Sequence, residues 1–269
     1  MQPTILMRPS LAEENEFSIA SKYLPTYKQR SQVPKNSLVV GRYSVLPFYK
    51  ELEDDLLEQG SALINSHREH HWIADLREWY TDFEGITPRT WFDLSSLPEK
   101  GPFVLKGETN SKKFQWNTHM YAEDRRQAGE VYRRLTQDGL IGDQDIYIRE
   151  YVPLVKLADG LNGLQICEEY RFFILDRQIL SGAFYWSSHI DDLTTVPSAA
   201  SVPQTFLAEV LERLGSNARF VVIDIARKVD GGWIVIEVND GQMSGPSENN
   251  LDELYSNMKK VLAFSAVST

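Results

Sequence analysis

A parallel α/β part followed by a larger, mostly antiparallel α+β part is the fold class this sequence predicts. Three observations carry it. Residues 37–65 alternate strand, helix and strand. Two later stretches, around 169–184 and 220–239, each read as a pair of strands about a short polar turn. An apolar helical stripe of Phe206, Leu207, Val210, Leu211 and Leu214 separates those pairs.

In chain order, residues 1–36 are rich in Pro, Ser and charge and predict an irregular lead-in. From Ser37, S-L-V-V-G-R-Y-S predicts a short strand. F-Y-K-E-L-E-D-D-L-L-E-Q-G follows as a helix with Phe48, Leu52, Leu56 and Leu57 on one stripe and Gly60 closing it. S-A-L-I-N returns as a second strand, which makes residues 37–100 a small parallel α/β domain. W-I-A-D-L-R-E-W-Y predicts one more helix, and I-T-P-R-T-W-F-D-L one more strand.

The character changes at Leu97-Pro98-Glu99-Lys100-Gly101, where the second region, 101–269, begins. It opens with the strand P-F-V-L-K-G, the polar loop E-T-N-S-K-K-F-Q-W-N and an amphipathic helix from Ala122 to Leu135. D-I-Y-I-R-E-Y-V-P-L alternates as a strand that Pro153 must end or leave at an edge. E-E-Y-R-F-F-I-L-D-R-Q-I-L-S-G-A-F-Y-W turns back at Asp176-Arg177. After a helix stopped by Gly215, R-F-V-V-I-D-I-A and W-I-V-I-E-V-N form a hairpin about Asp230-Gly231.

Of the 269 residues, 42% are hydrophobic and 25% charged, as in ordinary globular chains. A formal charge of −10 argues against general nucleic-acid binding. The single cysteine, Cys167, suits a reducing compartment and reads as a small core residue. There is no signal-peptide pattern and no apolar run approaching membrane-spanning length, so a cytoplasmic protein is the expectation.

Glu237 interrupts an apolar strand, and a carboxylate there costs several kcal/mol unless something neutralises it. With a two-residue turn at Asp230-Gly231, Asp224 lies opposite Glu237 and Asn239 opposite Val222. Asp224, Glu237 and Asn239 then share one sheet face. Opposed carboxylates repel unless a cation sits between them, and two carboxylates with an amide oxygen suit Mg²⁺ or Mn²⁺. A solvated acidic face is the competing reading; the apolar neighbours on both faces favour the cation. His67 and His71 have helical i, i+4 spacing, but H-R-E-H-H lacks the zinc-protease pattern and reads as a helix start or a substrate contact at the domain boundary. Neither a P-loop nor G-x-G-x-x-G occurs.

The order P-F-V-L-K-G, I-Y-I-R-E-Y-V-P-L, E-E-Y-R-F-F-I, Asp224 and E-V-N-D-G-Q resembles the ATP-grasp family over roughly residues 37–265. The resemblance implies an ATP-grasp fold whose antiparallel sheets enclose ATP. Lys106 would contact the α- and β-phosphates. The polar loop would cover them through Ser111 and Lys112 or Lys113, although Gly107 is its only glycine. Glu150 would hold the ribose or the adenine edge, with Tyr151 and Val152 as backbone partners. Asp224, Glu237 and Asn239 match the family's metal ligands. Arg171, with Lys106, would stabilise the transferring phosphoryl group; a salt bridge to Glu169 is its structural alternative. Arg149 alternates with Glu150 and would point to the other side of the strand.

More narrowly, these pieces look similar to a bacterial and phage clade with arginine and lysine strand motifs. A eukaryotic translation-factor assembly chaperone is a more distant relative in appearance. The resemblance implies an ATP- and Mg²⁺-dependent carboxylate–amine ligase (EC 6.3 type) working through an acyl phosphate. Its alternative is a non-catalytic ATP-binding assembly or interaction protein. The acid and amine substrates stay open among amino acids, peptides and protein termini.

Overall fold

The computed structural model describes residues 1–8 and 14–265. P-T-I-L near the N-terminus is a short apolar run, yet it forms β1 (Gln2–Leu6), with Ile5 and Leu6 fully buried. Then come α1 (Glu14–Tyr23), β2 (Thr26–Tyr27), β3 (Ser37–Gly41), α2 (Tyr49–Glu58) and β4 (Ala62–Leu63). Their sheet has the order β2-β1-β3-β4 with every neighbour parallel. The irregular lead-in is therefore corrected: it supplies an inner strand and a helix. The polar helix α1 has few apolar positions, and its core contacts are to residues of the last helix, more than 200 positions away. Residues 9–13 of that lead-in, and 266–269 of the second region, lie outside the described residues.

The stripe of α2 also differs from expectation. Tyr49, Leu52 and Leu56 are buried, whereas Phe48 and Leu57 are 59% and 54% exposed. The Tyr49 hydroxyl donates to the Asn65 carbonyl at 2.9 Å, which turns that side of the helix inward. The helix expected at Trp72–Tyr80 is two helices, α3 (His67–Ala74) and α4 (Leu76–Phe83), meeting at Asp75. Asp75 has extended φ/ψ, and its carboxylate caps α4 through the Arg77 N–H at 2.8 Å.

The second sheet is antiparallel. It contains β5 (Thr90–Trp91), β6 (Lys100–Gly107), β7 (Tyr121–Asp124) and β8 (Ile146–Glu150) in the order β5-β8-β6-β7. α5 (Trp116–His119) precedes β7, and α6 (Arg125–Thr136) follows it. Asp124 caps α6, so Ala122 belongs to a strand and the helix starts later than its amphipathic pattern suggests. Phe103, Leu105 and Ile148 pack against Ala128, Val131 and Leu135 of α6. Strand alternation then turns Val104, Lys106 and Arg149 to the other face.

A small pair, β9 (Lys156–Asp159) with β10 (Gln165–Cys167), leads to the main sheet. That sheet is β11 (Glu169–Leu175), β12 (Gln178–Phe184), β13 (Phe220–Arg227) and β14 (Trp233–Asp240), ordered β12-β11-β13-β14 and antiparallel throughout. α7 (Gln204–Leu214) covers one face with Leu207, Val210 and Leu214 against Val221, Ile223 and Ile225. α8 (Leu251–Ser265), absent from the sequence expectation, covers part of the other with Leu254, Tyr255 and Met258 against Phe173, Phe220 and Val222. That second face is apolar at Phe220, Val222, Phe173 and Leu175. It turns charged further along, at Asp224, Arg171 and Glu169.

The β13–β14 turn corrects one premise and keeps its conclusion. Lys228 N–H donates to Gly232 O, and Gly231 N–H to Lys228 O, so the loop has three residues, Val229 to Gly231. Gly231 takes φ +88°, a left-handed value that favours glycine. The register near this turn is one residue off the expected one, with Ile225 paired to Val235. A bulge at Ile236 restores it, and Asp224 pairs with Glu237 and Val222 with Asn239 as predicted.

Candidate functional site

The charged end of the main sheet faces the Lys106 side of the second sheet across an open cleft of about 950 Å³, its solvent-facing mouth included. Lys106, Arg149, Glu169 and Glu237 line it from strands, Lys113 from the polar loop, and Tyr151 from the segment after β8. The size is in the range of small-molecule sites.

Two ion pairs organise the floor. Arg171 and Asp224 are direct cross-strand partners, and the guanidinium grips the carboxylate at two points, Nε to Oδ1 at 2.9 Å and Nη2 to Oδ2 at 2.8 Å. Asp224 is fully buried. Burial works against the Arg171 charge, but Asp224 outweighs it and holds the group above its ordinary value. Lys106 reaches from β6 to Glu237 of β14 and ties the two sheets together. Burial raises the Glu237 carboxyl; Lys106 and then Lys113 overcome this and hold it well below the usual carboxylate range.

Around this floor, three groups lack full compensation. Arg149 is buried and donates to neutral acceptors, the Ile236 carbonyl at 2.5 Å and Thr87 Oγ1 at 2.7 Å, while its Nε has no partner. Burial lowers its pKa to about 10, against the pull of Glu237. Glu169 is 4% exposed, with Oε1 unpartnered. Burial, with further repulsion from Asp224 and Glu237, raises it to about 7 against the attraction of Lys113. Lys113 donates to the Tyr185 hydroxyl at 2.8 Å and lies over the Tyr185 and Trp186 rings. Burial opposes its charge, and Tyr185, Glu169 and Glu237 raise it nonetheless.

Most of the expected site residues come together here. Lys106, Ser111, Lys113, Glu150, Tyr151, Val152 and Glu237 line the cleft. Lys112 points away, paired with Asp138 at 2.8 Å. Arg171 pairs with Asp224 rather than with Glu169. Arg149 lies opposite Val104 on the Lys106 face, whereas Glu150 is an exposed strand end opposite the core residue Phe103. The Tyr151 N–H is already spent on the Pro102 carbonyl at 3.0 Å. Sequence reasoning passes over Glu169 as a site residue. The signal is nonetheless there, since it lies two residues from Arg171 and shares its face. Cys167 is buried, with its thiol pushed up to about 12 by that burial, as befits a core residue rather than a nucleophile.

Among the described residues, no group of three His, Cys, Asp or Glu side chains is placed to hold a metal ion. The expected set has two carboxylates and an amide. Asn239 Nδ2 donates to Asp224 Oδ2 at 3.4 Å, which leaves its carbonyl oxygen as a hard donor. The donor chemistry fits Mg²⁺, provided that oxygens from a ligand and from water complete the shell. No described helix is long and apolar enough to cross a membrane.

Comparison with known proteins agrees with this geometry. A sequence model of the ATP-grasp domain, clade family 3, matches residues 94–258. Among solved structures, D-cycloserine synthetase DcsG superposes with a TM-score of 0.60 at 13% identity, covering 97% of this chain and 99% of that one. The ATP-grasp ligase PsnB, complexed with minimal precursor, Mg and ADP, gives 0.60 at 12% identity and 97% of each chain. D-alanine–D-alanine ligase from Bacillus anthracis, complexed with ATP, gives 0.57 at 12% identity, with 99% and 96% coverage. These likenesses show the fold. No curated protein matches.

Proposed function

We propose, from the premise that this chain belongs to the ATP-grasp domain family, that it is an ATP- and Mg²⁺-dependent carboxylate–amine ligase. The observation that carries the reading is the Lys106–Glu237 contact between the two sheets beside the buried Arg171–Asp224 pair. Cations and acids alternate there across one cleft, as a metal-bound triphosphate requires.

ATP would lie with its base against Tyr151 and Val152 and its phosphates toward Lys106, Lys113 and Ser111. Arg149 is a further anion donor, because its guanidinium is buried with only neutral acceptors. Glu169 rather than Glu150 offers the enclosed carboxylate for a ribose hydroxyl, having an unpartnered buried oxygen. Mg²⁺ held by Asp224, Glu237 and Asn239 would supply charge neutralisation of the phosphates.

An oxygen of the carboxylate substrate attacks the γ-phosphorus, the bond to the β-phosphate oxygen breaks, and ADP leaves. Arg171 and Lys106 stabilise the charge spread over the transferred group. The amine then attacks the acyl carbon and releases phosphate, giving an amide. DcsG, PsnB and D-alanine–D-alanine ligase are named as synthetase or ligases, which supports this reaction class. Cytoplasmic residence fits the need for ATP and the lone buried thiol.

The test is ADP and phosphate release from ATP with Mg²⁺, using a mixture of amino acids as carboxylates and hydroxylamine as the amine. Ligation requires ADP release that depends on a carboxylate, and hydroxamate formation with it. If ATP binds and no carboxylate in a wider panel, peptides included, stimulates ADP release, the ligase reading falls and an ATP-binding interaction protein replaces it.

A further inference from the structure

Lys106 and Glu237 have a second side. Beyond them a separate cleft of about 900 Å³, its open mouth included, lies between the β3–α2 connection, α3 and the end of β14. Leu46, His70, Glu108, Asn239, Asp240 and Met243 are among its walls. The nucleotide reading leaves it unused, just as it leaves H-R-E-H-H unexplained.

Of the histidines in that motif, His70 is the inward one, 7% exposed, while His71 is exposed. His70 Nδ1 lies 3.0 Å from Asp240 Oδ2. The other oxygen of Asp240 accepts from Asn65 Nδ2 at 3.0 Å and from the Gln242 N–H at 2.9 Å. A carboxylate used in this way accepts from His70 as well, so Nδ1 carries the proton and Nε2 keeps its lone pair. The ring is stacked on Tyr49, with centroids 4.2 Å apart and planes 10° from parallel. Tyr49 is itself fixed, donating to the Asn65 carbonyl and accepting from Gln242 Nε2 at 2.5 Å. An imidazole pinned at its face and one edge presents its acceptor atom in a set direction.

The charges of the cleft select its occupant. Among the described residues, Glu108, Glu237 and Asp240 line it against the lysine Lys106, which is paired with Glu237, and no arginine does. A carboxylate would meet three acids there, whereas an amine meets acceptors.

We infer that this cleft is the acceptor subsite, that it takes a primary amine, and that His70 Nε2 receives the amine's N–H. The inference rests on the ligation proposed above and adds the substrate class of its second step. The free amine's nitrogen attacks the acyl carbon and the C–N bond forms. The C–O bond to phosphate breaks, and phosphate leaves with the electron pair. The proton shed by nitrogen passes to His70 Nε2.

The test uses protein labelled with ¹⁵N in its histidine rings, loaded with ADP and Mg²⁺. With five histidines the spectrum is sparse, and His70→Gln assigns the signal. Glycinamide, an amine without a carboxylate, is titrated against N-acetylglycine, a carboxylate without an amine. Glycinamide is expected to move the His70 Nε2 resonance saturably and N-acetylglycine to leave it in place. Asp240→Asn, which disturbs the tautomer, weakens the glycinamide response several-fold, as the misdirection of one hydrogen bond should. Retained stabilisation by ADP and Mg²⁺ certifies that variant as folded. The inference is overturned if N-acetylglycine moves the resonance instead, or if neither probe does so at its highest soluble concentration. Should nucleotide stabilise the protein while glycinamide leaves His70 unmoved, the nucleotide reading stands and this one falls. Should glycinamide act on a protein indifferent to nucleotide, the amine subsite stands and the ligation falls.

Discussion

Glu169→Gln gives the cleft a signature that can be read without any substrate. Burial and the neighbouring Asp224 and Glu237 displace this carboxyl from the ordinary glutamate value of 4.5 to about 7, while Lys113 and Arg171 pull the other way. Between those values the folded protein keeps a proton that the unfolded chain releases. The stability held below the lower value is therefore lost as pH rises through the upper one. At roughly 1.4 kcal/mol per pH unit, the loss reaches about 3 kcal/mol. Glutamine imitates the protonated acid and carries no such dependence. Urea unfolding of both proteins from roughly pH 4 to 8 reads the difference directly. The variant should gain on the wild type by up to about 3 kcal/mol across that window and hold the gain above it. A difference that stays flat with pH, or moves the other way, refutes the placement of Glu169 as a buried, under-compensated acid.

Asp224→Asn removes half of a buried pair and leaves the Arg171 guanidinium without its anion. A loss of about 3–5 kcal/mol is expected by urea unfolding. Replacing Arg171 and Asp224 together by Met and Leu should cost clearly less, and equal losses would speak against a coupled pair. Gly182→Ala drives a Cβ into the Phe172 ring, its cross-strand partner on β11. The expected cost is about 1–3 kcal/mol, seen as a lower Tm. Asp75→Ala removes the α4 cap and the acceptor of the Tyr147 hydroxyl. It should lose about 1 kcal/mol or somewhat more, and an unchanged Tm would count against the cap.

What the sequence discloses follows from how local each signal is. β3, α2 and β4, the 176–177 hairpin and α7 with its Gly215 stop are legible because period and turn residues coincide within a few positions. β1 and α1 are hidden, since P-T-I-L is short and α1 depends on α8 far along the chain. β9 and β10 are hidden as well; they are four and three residues long, with most of β9 exposed. In the site, the pairing of Asp224 with Glu237 is readable by counting, although the count succeeds only because the bulge at Ile236 offsets a three-residue loop. The inward turn of Arg149 is not readable, because which face of β8 meets the cleft depends on the packing of α6 beneath Phe103 and Ile148. Lys112 and Lys113 are neighbours with equal local claims. Only the folded chain sends one to Asp138 and the other to Tyr185.

A metal-dependent ATP site between the two antiparallel sheets underlies every functional reading above. Calorimetric titration of ATP, with and without Mg²⁺, into the wild type, Lys106→Ala and Glu237→Gln tests it most directly. Saturable binding that requires Mg²⁺ and weakens in both variants is expected. An absence of binding to the wild type, or equal affinity in all three proteins, would contradict it.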